Sequence, residues 1–280
     1  MSNLIKELYS YLNNKIDVKI ISLDKQEDRK IKDNINIKKP YIINLLRKLK
    51  KEKYDILVIF NTIESPAKAL FYYLPILMIK KRKILYQGTY LKKGLFYSLF
   101  LKLFDRVFCV SPYINNSIKK ELGNRCKYIP PGVNMKNLSY VKEIKKNKRV
   151  RIGFFGHLNE NKGSKILIDA FLKVKSKDCE LIIAGKGKMS RYLIDKSSGR
   201  DNILIYNYLK NVKSFIKSCD IICLPFLRSD KILGLSLTGI EAKAMGKVLI
   251  GSDAKAISQI INDKEDGFII KDRKELLKKI

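Results

Sequence analysis

The chain has 280 residues, of which 46% are apolar, and a formal charge of +31 at pH 7. This size and apolar content exclude a disordered chain and a small domain that depends on disulfides, because one or two ordinary cores bury enough surface. Basic residues exceed acidic ones by 28 to 11 in residues 1–140 and by 30 to 16 in residues 141–280. We therefore expect either a general attraction to phosphates, acidic lipids and nucleic acid, or simply a solvated basic surface.

The five cysteines lie mostly in apolar runs, which predicts free thiols and a reducing, cytoplasmic location. His157 is the only histidine, and Cys219 and Cys223 have no second pair, so we expect no metal site. Residues 1–16 lack the long apolar core of a signal peptide. The longest apolar run, 69–79, is too short to span a bilayer.

Strand-like and helix-like segments alternate along the first half. Apolar, β-rich runs predict strands at 17–23, 55–60, 83–87, 106–110 and 127–130. Helical periodicity occurs near 3–14, 40–53, 66–80, 93–104 and 112–122. The alternation predicts a parallel sheet with crossover helices, and the charged stretch 136–149 is interpreted as a linker.

The second half repeats this alternation. Predicted strands are 151–155, 180–185, 202–206, 220–226, 247–251 and 267–270, and predicted helices lie near 163–176, 188–198, 211–218, 237–245, 254–262 and 272–280. Ligands of such sheets bind outside the carboxyl ends of the strands, so polar residues that follow these strands are candidate site residues.

The most informative segment is PFLRSDKILGLSLTGIEAKAMG, residues 225–246. A loop that leads into a helix presents N–H groups without a partner in the helix, which suits an anion. Glu241 follows among small and apolar neighbours, where a carboxylate is unfavourable unless it accepts hydrogen bonds. Phosphates at the helix end and hydroxyls at Glu241 would together fit a nucleotide sugar.

Five motifs carry a resemblance to a known family, and they follow one another along the chain in that family's order. Besides 225–246 they are RIGFFGHLNENKG (151–163), ELIIAGKGKM (180–189), YIPPGVNM (128–135) and DRVFCVS (105–111). The chain resembles the retaining glycosyltransferases of the two-Rossmann-domain fold, GT-B, of the glycosyl transferases group 1 or family 4 type. Several motifs at the family's spacing are far more specific than one Gly-x-Gly.

The resemblance implies an α/β chain with two Rossmann-like domains whose parallel sheets face each other across a cleft. Residues 1–140 would form the acceptor-side domain, apparently shortened, and 141–280 the nucleotide-sugar domain. The implied function is metal-independent hexosyl transfer from a UDP-, GDP- or ADP-linked sugar to a glycan, lipid-linked or protein acceptor, with retention and without a bound cofactor. The alternative is a catalytically degenerate relative that serves as a binding protein or subunit.

The implied site residues fall into three groups. Lys162, Glu241 and Asp230 would carry catalysis; the donor would contact Gly156, His157, Lys162, Gly185, Gly187, Tyr208, Leu209, Gly234, Leu235, Ser236 and Glu241; Gln87 and Gly88 would lie on the acceptor side. Lys162 would meet the diphosphate and Glu241 the ribose hydroxyls. A structural role for each of these residues is the competing interpretation.

The sequence departs from the family pattern at three site positions. His157 stands where relatives often have an arginine, and imidazole offers fewer donors to a diphosphate. Leu233 stands where the family has the first of two glutamates, and Asp230 would supply that carboxylate if the loop absorbs an insertion. Gln87 stands where many relatives have a histidine. Leu233, Gln87 and the short chain ends favour the degenerate alternative.

Two further expectations concern partners and chain ends. Aromatic and lysine residues interleave over 69–108, which predicts either peripheral contact with the anionic inner face of a membrane or core helices with solvated ends. No nucleic-acid recognition motif is present, so specific nucleic-acid binding is not expected. Compared with the family, the chain begins within the first helix and ends where a returning helix would begin, which predicts either a minimal form or a fragment.

Overall fold

The computed structural model describes most of the chain with gaps. The described residues are 15–17, 20–22, 34–36, 41–61, 65–73, 79–88, 95–133, 149–209, 211–227 and 234–280. The chain divides into two units, Met1–Gly132 and Val133–Ile280, and each is described by itself. The predicted helix at 3–14 and nearly all of the predicted linker at 136–149 lie outside the described residues.

The first unit is an alternation of strands and helices. In chain order its described elements are β1 (Ile20–Ser22), β2 (Asn34–Asn36), α1 (Tyr41–Lys51), β3 (Ile56–Asn61), α2 (Pro66–Tyr73), β4 (Arg82–Gln87), α3 (Leu95–Lys102), β5 (Arg106–Cys109), α4 (Pro112–Leu122) and β6 (Cys126–Tyr128). Strands β3 to β6 form a parallel sheet in sequence order, and β1 pairs with β2 in parallel. The parallel sheet predicted for this half is confirmed.

Aromatic side chains pack the end of α3 and connect this helix to α4. Phe100 and Phe104 are fully or almost fully buried, and their rings meet edge to face with centroids 5.4 Å apart. The hydroxyl of Tyr97 donates to the carbonyl oxygen of Ser117 at 3.2 Å, which links the two helices. Ser111 begins α4 by accepting a hydrogen bond from the Ile114 N–H, as an N-cap serine does.

The second unit has more elements in the same alternation. They are β7 (Val150–Phe155), a 3-10 turn (Glu160–Lys162), α5 (Ser164–Phe171), β8 (Cys179–Ala184), α6 (Ser190–Ser197), β9 (Ile203–Tyr206), α7 (Val212–Ser218), β10 (Ile221–Leu224), α8 (Leu237–Ala244), β11 (Val248–Ser252), α9 (Lys255–Ser258), β12 (Gly267–Ile270) and α10 (Arg273–Lys279).

The strand order of this unit is β12-β11-β10-β7-β8-β9, and every pairing is parallel. Counted from β7, this is the order 3-2-1-4-5-6 of a Rossmann sheet. The strand order reverses between β7 and β10, because successive strands are added on one side up to β9 and on the other side from β10 onward. Ligands of such sheets bind beyond the carboxyl ends of the strands at this switch point. The fold thus predicts where the site of this unit lies.

Alternate residues of each strand bury on opposite faces of the sheet. On β8, Leu181 and Ile183 belong to one apolar cluster, and Ile182 and Ala184 belong to the other. Burial on both faces explains why the strands read as unbroken apolar runs rather than as an alternating pattern. It also fixes the register, because a shift by one residue would exchange the two faces.

Several element bounds differ from the sequence predictions. The strand predicted at 220–226 ends at Leu224, because Pro225 has no N–H for the ladder. The helix predicted at 163–176 ends at Phe171, where the N–H groups of Lys173 and Val174 turn to i−3 carbonyls. The strand Asn34–Asn36 was missed, because its short polar sequence has no apolar run.

Candidate functional site

The loop after β7 turns back and ends at Lys162. The side-chain oxygen of Asn159 accepts a hydrogen bond from the Lys162 backbone N–H at 3.1 Å and begins the 3-10 turn. Gly163 closes that turn in the left-handed conformation with φ of 74°, and α5 begins at the next residue. Lys162 is therefore fixed just before the N-terminus of a helix, the place where an anion is most stabilised.

The loop after β10 packs against this turn. A Cβ atom at position 163 would lie 1.8 Å from the carbonyl oxygen of Pro225, so only glycine fits there. The backbone N–H of Leu227 donates to the carbonyl oxygen of Asn161 at 3.0 Å. The two loops that flank the switch point are thus joined by direct backbone contacts.

The Lys162 ammonium lies half-buried between these loops. Its Nζ is 3.8 Å from the centroid of the Phe226 ring, which is itself 5% exposed. Burial lowers the pKa of Lys162 to about 8. Because this pKa lies above 7, the amine is mostly charged at pH 7. Among the described residues we find no ion pair to Lys162, so no carboxylate of that set neutralises its charge.

The loop after β8 carries the predicted glycines and is joined to the loop after β7. A Cβ at Gly185 would lie 1.8 Å from the carbonyl oxygen of Gly156, and a Cβ at Gly187 would lie 2.2 Å from that of Leu158. The Leu158 N–H donates to the Lys186 carbonyl at 2.9 Å. Gly185 and Gly187 therefore allow the two loops to pack closely together.

Tyr208 and Leu209 follow β9 at the same edge of the sheet. Tyr208 is 72% exposed, with the Lys186 Nζ 5.8 Å from its ring centroid, while Leu209 packs on the apolar core. The Gly185 N–H donates to the carbonyl oxygen of Tyr206 at 2.9 Å, which connects this loop to the previous one. His157 is exposed in the first loop.

Helix α8 carries Glu241 and is capped by Ser236. The buried Ser236 accepts a hydrogen bond from the Gly239 N–H at 3.3 Å, and its own N–H donates to the Ala256 carbonyl at 3.1 Å. Glu241, Gly234 and Leu235 are all half-buried. Helix α8 therefore presents Glu241 from a fixed position.

Two groups of predicted residues stand apart from this set. Asp230 and Leu233 lie outside the described residues. Gln87 and Gly88 belong to the first unit, where Gln87 is fully buried at the end of β4 and its carbonyl accepts from the Val110 N–H. An acceptor-side role for Gln87 and Gly88 stays a prediction.

Sequence reasoning missed Phe226. The residue was included in the predicted strand, although it lies in the loop beyond Pro225, with its ring against Lys162. The proline two residues after Cys223 was a signal that the strand ends earlier. The partner of the ring lies 64 positions earlier in the chain, and no local pattern indicates such a contact.

Metal-binding clusters and membrane-spanning helices are both absent from the described part of the chain. Within it, no three His, Cys, Asp or Glu side chains cluster in a way that would hold a metal ion. The helices that the structure describes include none that is long and apolar enough to cross a bilayer.

A Rossmann-ordered sheet following a second parallel sheet defines the class of two-Rossmann-domain, GT-B proteins. Residues 149–280 match the family described as Glycosyl transferases group 1. The structure is similar to a glycosyltransferase from Rickettsia africae, with a TM-score of 0.77, 17% identity and coverage of 99% of this chain and 82% of that one. The predicted α/β, GT-B fold is thereby confirmed.

The chain is also similar to other proteins in sequence or in fold. An uncharacterized glycosyltransferase of Methanocaldococcus jannaschii is 29% identical over 171 residues, 59% of this chain and 45% of that protein. A phosphatidyl-myo-inositol mannosyltransferase of Mycobacterium leprae is 26% identical over 156 residues, 53% and 41% of the two chains. HepE of Anabaena, solved in complex with UDP, has a TM-score of 0.67 at 15% identity, covering 85% and 71%.

The aligned regions span less than half the length of these two relatives by sequence. Taken together, these findings show a GT-B fold in which residues 149–280 match the family Glycosyl transferases group 1.

Proposed function

We propose that the protein transfers a hexose from a nucleoside-diphosphate sugar to a glycan, lipid-linked or protein acceptor, with retention of the anomeric configuration. The observation that carries the proposal is the Lys162 ammonium, half-buried at the switch point, with no ion pair found among the described residues. A fixed cation beside the start of α5 suits the charge that develops on a departing diphosphate.

The donor would bind along the loops after β7, β8 and β9. The diphosphate would contact Lys162 and His157 and the backbone of Gly156, Gly185 and Gly187. The nucleobase would lie near Tyr208 and Leu209, and the exposed ring of Tyr208 offers a stacking face. Glu241 would accept hydrogen bonds from the ribose, with Gly234, Leu235 and Ser236 lining the entry to α8.

In this mechanism the protein positions the reactants and supplies no nucleophile. The acceptor hydroxyl would attack the anomeric carbon on the face that the diphosphate leaves, and the proton would pass to the departing phosphate oxygen. Lys162 and the N–H groups at the start of α5 would stabilise the negative charge on the leaving diphosphate. Because these groups are already in place, they need no reorganisation during the reaction. We propose that no metal ion takes part.

Asp230 is proposed as the substitute for the glutamate that Leu233 replaces. A hydrogen bond from a hydroxyl to a charged group is worth about 1.5–3 kcal/mol, so Asp230→Asn would weaken sugar recognition roughly tenfold or more. In the first unit, Gln87 and Gly88 are proposed to border the acceptor. A catalytically degenerate relative remains the outcome to which a negative transfer assay would point.

Contact with an anionic membrane is proposed through α3. Phe96, Leu99 and Lys102 are spaced by three residues and all exposed, the first two at 42% and 52%. Apolar side chains beside a lysine suit insertion at the surface of acidic lipids, and the Mycobacterium leprae relative is named for a phosphatidylinositol acceptor. The five buried free thiols suit a reducing, cytoplasmic face.

The deciding experiment is calorimetric binding of UDP, GDP and ADP at physiological salt, with pyrophosphate as the control for loose anion capture. We expect one nucleotide to bind at least about tenfold more tightly than pyrophosphate, and Glu241→Ala to weaken only the nucleotide. Release of that diphosphate from its sugar conjugate, with the anomer read by NMR, then tests transfer. Equal binding of all four ligands would overturn the donor site.

A further inference from the structure

We propose that Phe226 is a positioning residue: the face of its ring holds the Lys162 ammonium at the switch point, where the donor diphosphate would bind. The inference rests on the proposed function for the identity of the ligand. It concerns a residue that the sequence assigned to a strand and that has no polar group of its own.

Both partners of this contact are fixed by the fold. The Phe226 ring belongs to an apolar cluster of the second unit and is 5% exposed, so it has little freedom to turn. Its neighbour Leu227 is bonded to Asn161, and Lys162 follows Asn161 directly. The 3.8 Å distance from Nζ to the ring centroid therefore joins two segments whose backbones are already held together.

The ring and the burial act on Lys162 in opposite directions. Burial removes water from the ammonium, and this favours the neutral amine and lowers the pKa to about 8. The negative face of an aromatic ring attracts a cation, most strongly where water is excluded. Phe226 therefore favours the charged amine and holds it over the ring, where a leucine would provide only an apolar surface.

In the described part of the chain, no charged neighbour accounts for the lowered pKa of Lys162. Glu160 of the same turn and His157 before it are exposed, Glu241 lies on α8, and burial is the cause of the lowered pKa of Lys162. In the segment after Leu227, the titratable residues Arg228, Asp230 and Lys231 lie outside the described residues. A variant at Asp230 is therefore included below.

This arrangement gives the diphosphate affinity a defined dependence on pH. A bound diphosphate raises the pKa of Lys162, so the complex holds more protons than the free protein above pH 8. Affinity is then constant with respect to Lys162 below pH 8 and falls by up to about tenfold per pH unit above it. Removing the ring lowers the pKa further and moves the beginning of that fall to lower pH.

The test compares Phe226→Leu and Phe226→Met with the conservative Phe226→Tyr. Phe215→Leu is the matched control, because Phe215 lies in the same cluster, is 6% exposed and belongs to α7 rather than to the loop after β10. The Lys162 amine is titrated by NMR of 15N-lysine protein without any ligand, and its signal is assigned by its loss in Lys162→Arg. Nucleotide affinity is then measured from pH 6.5 to 9.5, also in Asp230→Asn.

We expect the Leu and Met variants to titrate about half to one pH unit lower than the wild type. Because the charged fraction of the amine at pH 8 falls accordingly from about one half, they should lose about two- to fivefold in affinity at that pH. Phe226→Tyr and Phe215→Leu should retain the wild-type midpoint. An unchanged midpoint in both ring-deleted variants, or an equal shift in Phe215→Leu, would overturn the proposal. So would a midpoint that Asp230→Asn moves more than they do.

The two readouts separate this inference from the proposed function. The amine titration needs no nucleotide, so a ring-dependent midpoint in a protein that binds nucleotide no better than pyrophosphate would support the positioning and overturn the donor. A protein that binds nucleotide but titrates independently of the ring would keep the donor site and reject Phe226. If Phe226→Leu fails to fold, Phe226→Met and Phe226→Tyr carry the comparison.

Discussion

The backbone N–H of Leu227 donates a hydrogen bond to the carbonyl oxygen of Asn161 at 3.0 Å, across 66 positions of the chain. This bond joins the loop after β10 to the loop after β7 on the two sides of the Rossmann switch point. Next to it, Gly163 lies against the carbonyl of Pro225. The geometry of the candidate donor site therefore depends on backbone contacts that many side-chain substitutions leave intact, and on glycines that no other residue replaces.

Gly163→Ala should be strongly destabilising. The residue has φ of 74°, and the added Cβ would lie 1.8 Å from the Pro225 carbonyl oxygen, so both backbone strain and a backbone clash result. We expect a loss of about 3 kcal/mol or more in the free energy of unfolding, measured with urea. Gly199→Ala is the control: its φ is 72° with nothing within 4 Å, and it should lose only about 1 kcal/mol. Equal losses would show that the contact with Pro225 is unimportant.

Alanine substitutions at two other glycines should differ in their effect on stability, because different atoms lie opposite the added Cβ. A Cβ at Gly187 meets the Leu158 carbonyl oxygen at 2.2 Å, and Leu158 is held by backbone hydrogen bonds, so Gly187→Ala should cost about 2 kcal/mol or more. A Cβ at Gly239 meets the tip of the Ile260 side chain, which can rotate away, and alanine favours the helix by about 1 kcal/mol. Gly239→Ala should thus be close to wild type in urea unfolding. The reverse order would contradict this assignment.

Asp169 should contribute to stability in a manner that depends on pH. Burial by itself would raise its pKa, but hydrogen bonds from Lys165 at 2.8 Å and Tyr192 at 2.6 Å outweigh it and lower the pKa below the usual 3.8. The folded state therefore holds the proton less tightly than the unfolded state does. The resulting stability is present above about pH 4 and is lost as pH falls through the lower, folded pKa.

Asp169→Asn is expected to cost about 1–2 kcal/mol at pH 7 and to show a smaller further loss below pH 4 than the wild type. Urea unfolding at pH 7, 5, 4 and 3 measures both effects. The exposed Asp195 of α6 supplies the control, Asp195→Asn, which should follow the wild-type profile. If the two variants had the same pH profile, the ion pair with Lys165 would not contribute.

The cysteines should react with Ellman's reagent only after unfolding. All five are free and buried, and burial raises the pKa of Cys219 to about 12, so its thiolate is scarce at pH 8. We expect no fast phase in the native protein and five equivalents in urea. A fast native phase of one equivalent would indicate local opening, and single Cys→Ser variants would identify which thiol is reached.

The sequence alone was sufficient for much of the second unit. Unbroken apolar runs between glycines and charged residues indicated its strands, because these strands bury both faces. The NKG segment indicated Lys162 before a helix for a local reason, since glycine at a left-handed position ends a turn and precedes a helix. The strand Asn34–Asn36 was missed for the opposite reason: its sequence, Asn-Ile-Asn, is too short to show a periodicity or an apolar run.

What the sequence determined is therefore the local part: parallel α/β order, the positions of most strands and helices, and the motifs that resemble a GT-B glycosyltransferase. The tertiary structure alone decided the strand order 3-2-1-4-5-6 and the contact of Phe226 with Lys162. Local patterns record only the neighbours of a residue along the chain. The ring and the ammonium meet because β7 and β10 pair in the sheet, and this pairing depends on the packing of the whole unit.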